Sequence, residues 1–110
     1  MSERALGRLD AIPDGGAVGF APHGPTGRPL MAIRQGGQVF VYVNSCPHTG
    51  APLDFQHGTF LNDDATLIHC SIHGALFRID DGFCIAGPCA GRCLAALRAA
   101  VRDGWVFVSS

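Results

Sequence analysis

Two short segments combine residue types that bind soft metals: Cys46-Pro47-His48 and Cys70-Ser71-Ile72-His73. They are separated by 21 residues, Thr49 to His69. Thiolates bind zinc, copper(I) and iron–sulfur clusters, and imidazole suits zinc and iron. Each motif follows a strand candidate and opens into a glycine-containing turn, Thr49-Gly50 after the first and Gly74 after the second. Two hairpin-like loops of this kind would bring two sulfur and two nitrogen donors to one point. Thiols and imidazoles rarely pair twice in matching turns without a metal to hold.

The segments around these motifs read as short strands joined by tight turns. Leu30–Arg34 and Gln38–Val43 flank Gly36-Gly37, a hairpin signal. Val39 to Val43 are β-branched or aromatic, which suits a pleated surface. Further turn signals are Asn62-Asp63-Asp64, Asp80-Asp81-Gly82 and Asp103-Gly104, each between apolar runs. Leu94–Arg102 is rich in alanine, leucine and arginine and would be a helix on propensity alone. The hairpin that Asp103-Gly104 requires before Trp105–Val108 predicts a strand there instead. The expectation is an all-β fold, an antiparallel sandwich with a smaller metal-binding subdomain. Residues 1–110 form one domain, with the metal-binding portion roughly at 44–90. Residues Met1 to Gly7 are expected to be poorly ordered.

Bulk properties exclude several classes. Charged residues are 15% and hydrophobic residues 47%, which argues against disorder. The net charge of -1 and the lack of a basic tract leave nucleic-acid binding without an electrostatic basis. No apolar run is long enough to span a bilayer, and the N-terminus lacks a signal-peptide pattern. A cytoplasmic location is therefore expected. In a reducing compartment the five cysteines point to metal binding rather than disulfides.

A Cys2His2 set suits either a closed structural zinc or a Rieske-type cluster. Zinc fingers usually pair like with like, whereas each motif here supplies one Cys and one His. In a Rieske centre the two His take one iron and the two Cys the other. The segments CPHTGAPLD (Cys46 to Asp54) and CSIHGALFRID (Cys70 to Asp80) resemble the two cluster-binding loops of Rieske proteins. Gly87-Pro88 resembles the proline loop that covers the cluster in that family. The resemblance runs from about Val39 to Val108.

The resemblance implies one [2Fe-2S] cluster on Cys46, His48, Cys70 and His73, surrounded by Gly50, Leu53, Ile72, Gly74, Ala75, Phe77, Gly87 and Pro88. Within the family the chain resembles the soluble ferredoxin-like members. Respiratory-chain members carry a disulfide between the loops, and the matching positions here are Ala51 and Ile72. Those members also use a Ser and a Tyr as hydroxyl donors to the cluster, where this chain has Ala75 and Phe77. Hydrogen bonds to sulfur favour the reduced, more negative cluster. Their loss implies a potential near the lower end of the family range of roughly −150 to +300 mV. Two ferric ions, two sulfides and two thiolates carry no net charge, and one electron makes the centre −1. His48 and His73 would form the electron exit, with Leu53, Ile72, Leu76 and Pro88 as an apolar docking rim.

The function implied is a one-electron carrier with no substrate turnover of its own. It would pass electrons from a reductase to a terminal oxidoreductase such as an oxygenase. The partners are proteins, with no nucleic acid, membrane or small-molecule substrate. The alternatives are an accessory subunit resembling the small subunit of nitrite reductase, or a non-redox zinc or sensor module. At 110 residues there is no room for the separate two-His, one-carboxylate iron domain of an oxygenase. Outside the motifs, Cys84 reads as a small buried hydrophobe. Cys89 follows Pro88 and would lie near the cluster, and Cys89 and Cys93 are close enough in sequence to pair. His23, His57 and His69 read as surface or loop residues. Trp105, Phe40, Phe60, Phe83 and Phe107 read as core. Asp63, Asp64, Asp80 and Asp81 read as solvated hairpin tips.

Overall fold

The central hairpin is apolar almost without interruption, and the structure shows why. The computed structural model describes residues 3–22, 27–47, 53, 60–62, 64–70 and 74–109. In chain order the strands are β1 (Glu3–Arg8), β2 (Ala17–Phe20), β3 (Leu30–Gln35), β4 (Gln38–Val43), β5 (Leu67–His69), β6 (Leu76–Arg78), β7 (Cys84–Ala86), β8 (Ala96–Arg102) and β9 (Trp105–Ser109). A single 3-10 turn, Leu9–Ala11, is the one helical element among the described residues. The strands form a six-stranded sheet in the order β1-β9-β8-β4-β3-β2 and a three-stranded sheet in the order β5-β6-β7. All pairings are antiparallel. No helix among the described residues is long and apolar enough to cross a membrane.

The β3–β4 hairpin is the wall between two cores. Side chains alternate between faces with period two. Leu30, Ala32, Val39, Val41 and Val43 enter one core with Ile12, Val106 and Val108. Met31, Ile33 and Tyr42 enter the other with Phe60, Ile68, Phe77 and Leu94. The register matches this division: Met31 faces Tyr42, and Ala32 faces Val41. A strand pair buried on both faces is apolar throughout rather than alternating. Gly36 closes the hairpin at φ +63°, a conformation that glycine adopts without a Cβ clash.

The four expected turns are all present. Arg78 N–H donates to the Phe83 carbonyl across the Asp80-Asp81-Gly82 turn, and Leu61 bridges Ile68 across the Asn62 turn. Asp64, Asp80 and Asp81 are exposed as expected, and Asp63 lies outside the described residues. The alanine-rich segment is strand β8. It pairs with β9 from Arg98 to Arg102, and its Leu97, Ala99 and Val101 alternate onto the aliphatic core. Tertiary pairing overrides helix propensity there.

Two expectations are corrected. Residues from Glu3 onward are not loose: β1 pairs with β9 from Glu3–Ser109 to Arg8–Trp105. Trp105 is not core but 39% exposed, on the outer face of β9. The Arg8 guanidinium covers its ring at 5.5 Å, and Arg102 covers Phe107 at 4.2 Å. Phe60 is buried, whereas Phe40, Phe83 and Phe107 are only half-buried. Aromatic rings serve on this surface as platforms for arginine.

Candidate metal centre

The three-stranded sheet and the end of β4 carry the two motifs. Cys46 lies three residues beyond β4, and Cys70 directly follows β5. Their side chains are 1% and 0% exposed and belong to the same core cluster. His48 and His73 lie outside the described residues, as do Gly50 and Ile72. Among the described residues no group of three or more His, Cys, Asp or Glu side chains is arranged to hold a metal ion by itself.

Each loop is tied at its ends. The Cys70 N–H donates to the Ala75 carbonyl and the Gly74 N–H to the Cys70 carbonyl, both at 2.9 Å. Gly74 takes φ +71° to make this return. The first loop is held by Asn44, the one buried polar residue among those described. Its Oδ1 accepts the Leu53 N–H at 2.7 Å. That bond draws Leu53 fully into the core, so it lines the inside of the site and is no part of an exposed docking rim. Leu76 is half-buried and Pro88 is exposed, and both remain compatible with such a rim.

The Gly87-Pro88 segment lies against the base of the second loop. A Cβ on Gly87, which has φ +95°, would stand 2.7 Å from the Ala75 Cα. Arg92 Nη1 donates to the Pro47 carbonyl at 3.1 Å and joins this segment to the first loop. Ala75 and Phe77 are both fully buried and bring no hydroxyl to the site. Tyr42 ties the small sheet to the large one through its OH, which donates to the Ile79 carbonyl at 2.5 Å. Burial pushes its phenol above the ordinary range, with Asp81 and Asp80 adding to the shift.

The remaining cysteines separate by side. Cys84 is fully buried as expected, and its Sγ lies 3.3 Å from that of Cys89. Cys84 also donates to the Ala86 carbonyl at 3.2 Å. Burial, followed by the bond to Cys84, pushes the Cys89 thiol up to about 12. Cys93 is exposed beside Phe83, so the pairing open to Cys89 is with Cys84 and not Cys93. Sequence spacing gave no sign of the contact between Cys84 and Cys89. Two buried sulfurs in one core, at the mouths of loops each carrying a histidine, suit a centre that takes both soft and imidazole donors.

A model of the Rieske [2Fe-2S] domain matches residues 9–101, starting well before the Val39 expected from the motifs. The chain belongs to this family, and its cofactor is one Rieske-type [2Fe-2S] cluster. It is similar to the ferredoxin of carbazole 1,9a-dioxygenase from Nocardioides aromaticivorans IC177, at 25% identity and TM-score 0.79. That match covers 99% of this chain and 98% of that one. It is also similar to Sphingomonas yanoikuyae B1 ferredoxin, at 28% identity, 99% of each chain and TM-score 0.78. The terminal oxygenase of carbazole 1,9a-dioxygenase from Novosphingobium sp. KA1 shares the fold, with TM-score 0.80 at 19% identity over 96% of this chain and 29% of that one. Among curated protein sequences there is no significant match.

Proposed function

We propose that this protein is a one-electron carrier of the ferredoxin kind, taking electrons from a reductase and delivering them to a terminal oxidoreductase such as an oxygenase. The observation that carries the reading is its likeness, over nearly their whole length, to two ferredoxins, one belonging to a carbazole dioxygenase. Residues 1–110 act as one iron–sulfur unit, with the cluster-binding portion at roughly 44–90. A cytoplasmic setting, in which the cysteines stay reduced, goes with this role.

Cys46 and Cys70 are the inner ligands, and their burial keeps both sulfurs away from solvent. His48 and His73 are the outer ligands, where imidazole edges meet the partner. When bound, the cluster accepts and releases a single electron. The chain contributes a cage that changes little with that electron: loop ends fixed by Asn44, Cys70 and Ala75, and a Gly87-Pro88 cover clamped by Arg92. Small reorganisation suits fast outer-sphere transfer. Anaerobic titration with dithionite tests the role, followed by mixing with a carbazole-type terminal oxygenase. Uptake of one electron per chain and reoxidation by the oxygenase are expected. A chain that takes up no electron overturns the reading.

A further inference from the structure

Two thiols outside the proposed ligand set lie under the proline segment. The sulfurs of Cys84 and Cys89 are 3.3 Å apart. Disulfide sulfurs stand about 2.0 Å apart, so this pair has roughly 1 Å to close. Backbone bonds fix both residues in one turn. Cys84 N–H donates to the Arg92 carbonyl at 2.8 Å, Gly91 N–H to the Cys84 carbonyl at 3.1 Å, and Arg92 N–H to the Cys89 carbonyl at 3.0 Å. Both side chains are buried, yet the turn that covers them is itself surface: Gly87, Pro88, Ala90, Gly91 and Arg92 are all exposed. A turn held by a few hydrogen bonds opens locally at far lower cost than the whole fold. Such opening admits an oxidant little larger than water.

We infer that Cys84 and Cys89 are the site of a reversible disulfide, formed by hydrogen peroxide and locking the Gly87-Pro88 segment onto β7. One thiol reduces the peroxide to water and becomes a sulfenic acid; the second thiol attacks that sulfur and a further water leaves. In sum, two S–H bonds and the peroxide O–O bond break, one S–S bond forms, and two electrons pass from sulfur to oxygen. A buried thiol stays protonated and reacts slowly while the turn is closed, so local opening sets the rate. Once one sulfur is oxidised, the neighbour at 3.3 Å is the thiol in reach. A reducing compartment keeps the pair as thiols, and disulfides that do form there are transient and redox-sensing. The inference does not depend on the ligand assignment, since neither sulfur belongs to it.

The test treats the full-length protein, as purified, with hydrogen peroxide, then denatures it, alkylates free thiols and cuts with trypsin. Cleavage after Arg78 and Arg92 releases the peptide Ile79–Arg92, whose only cysteines are Cys84 and Cys89. That peptide should lose both alkyl groups and become lighter by two hydrogen atoms. Dithiothreitol added before alkylation should restore both groups. Cys93→Ser should behave as wild type, which excludes exchange through the exposed cysteine. Iron and sulfide are followed in the same samples. A disulfide that forms ahead of their release supports the inference, and one that forms only after it marks cluster damage and overturns it. A peptide that keeps both alkyl groups once Cys93 has been oxidised also overturns it. So does a main product in which Cys84 or Cys89 is joined to any other cysteine.

Discussion

Among the described residues, the buried members of the core on one side of the β3–β4 hairpin are aliphatic: Ile12, Leu30, Ala32, Val39, Val41, Val43, Val106 and Val108. The core on its other side includes Cys46, Cys70, Cys84 and Cys89. The first belongs to a six-stranded sheet whose pairs run over several residues, such as β8 with β9 from Arg98 to Arg102. The second lies under strands of three residues each, tied by turns and single hydrogen bonds. Both units stand on hydrophobic burial, and ligation of a metal centre adds folding free energy to the smaller one.

The largest effects should divide the two regions. Cys46→Ser or Cys70→Ser should abolish cluster binding, read as loss of iron and of visible absorption. Amide resonances of β5 to β7 should broaden or move while those of β8 and β9 hold. Ile12→Ala should do the reverse. It should cost about 2–5 kcal/mol of stability by denaturant unfolding and leave the visible spectrum unchanged. If Ile12→Ala also discharged the cluster, the two regions would not be separable.

Smaller changes probe the joins between them. Gly87→Ala forces a Cβ onto the Ala75 backbone at φ +95° and should cost about 1–3 kcal/mol, seen as faster release of the cluster on mild heating. Tyr42→Phe leaves the Ile79 carbonyl without its phenol donor and should cost about 1–3 kcal/mol, lowering the stability of both regions together. The smallest effect is electrostatic. The side-chain bond from Arg78 holds the Asp81 carboxyl below its ordinary range, helped by the Phe83 N–H. A depressed carboxylate stabilises the fold above its unfolded-state pKa, and the contribution is lost as pH falls through the folded one. The stability difference between wild type and Asp81→Ala should therefore shrink on acidification. A difference that grows would contradict this sign.

What was legible in the sequence follows the same division. β3 and β4 could be read because burial on both faces requires unbroken apolar runs. The turns could be read from Gly36-Gly37, Asp80-Asp81-Gly82 and Asp103-Gly104. β8 was legible only through its partner, since LAALRAAVR by itself favours helix. β1 was not legible, because Glu3–Arg8 buries little and is fixed by register with β9. Trp105 was misread because an aromatic in a strand suggests burial, and nothing local announces that Arg8 will cover it. In the metal centre, the motifs named the sulfurs that the fold places in one core. The hold of Asn44 on Leu53 and the approach of Cys89 to Cys84 join residues through loops, where no periodicity exists to reveal them.

The central claim is that Cys46, His48, Cys70 and His73 share one cluster. The most direct test is electron paramagnetic resonance of the reduced protein labelled with 15N-histidine, with nitrogen couplings resolved in wild type, His48→Cys and His73→Cys. The account predicts a rhombic signal coupled to two histidine nitrogens in wild type, with one coupling lost in each variant. A reduced cluster that shows no histidine coupling would contradict it.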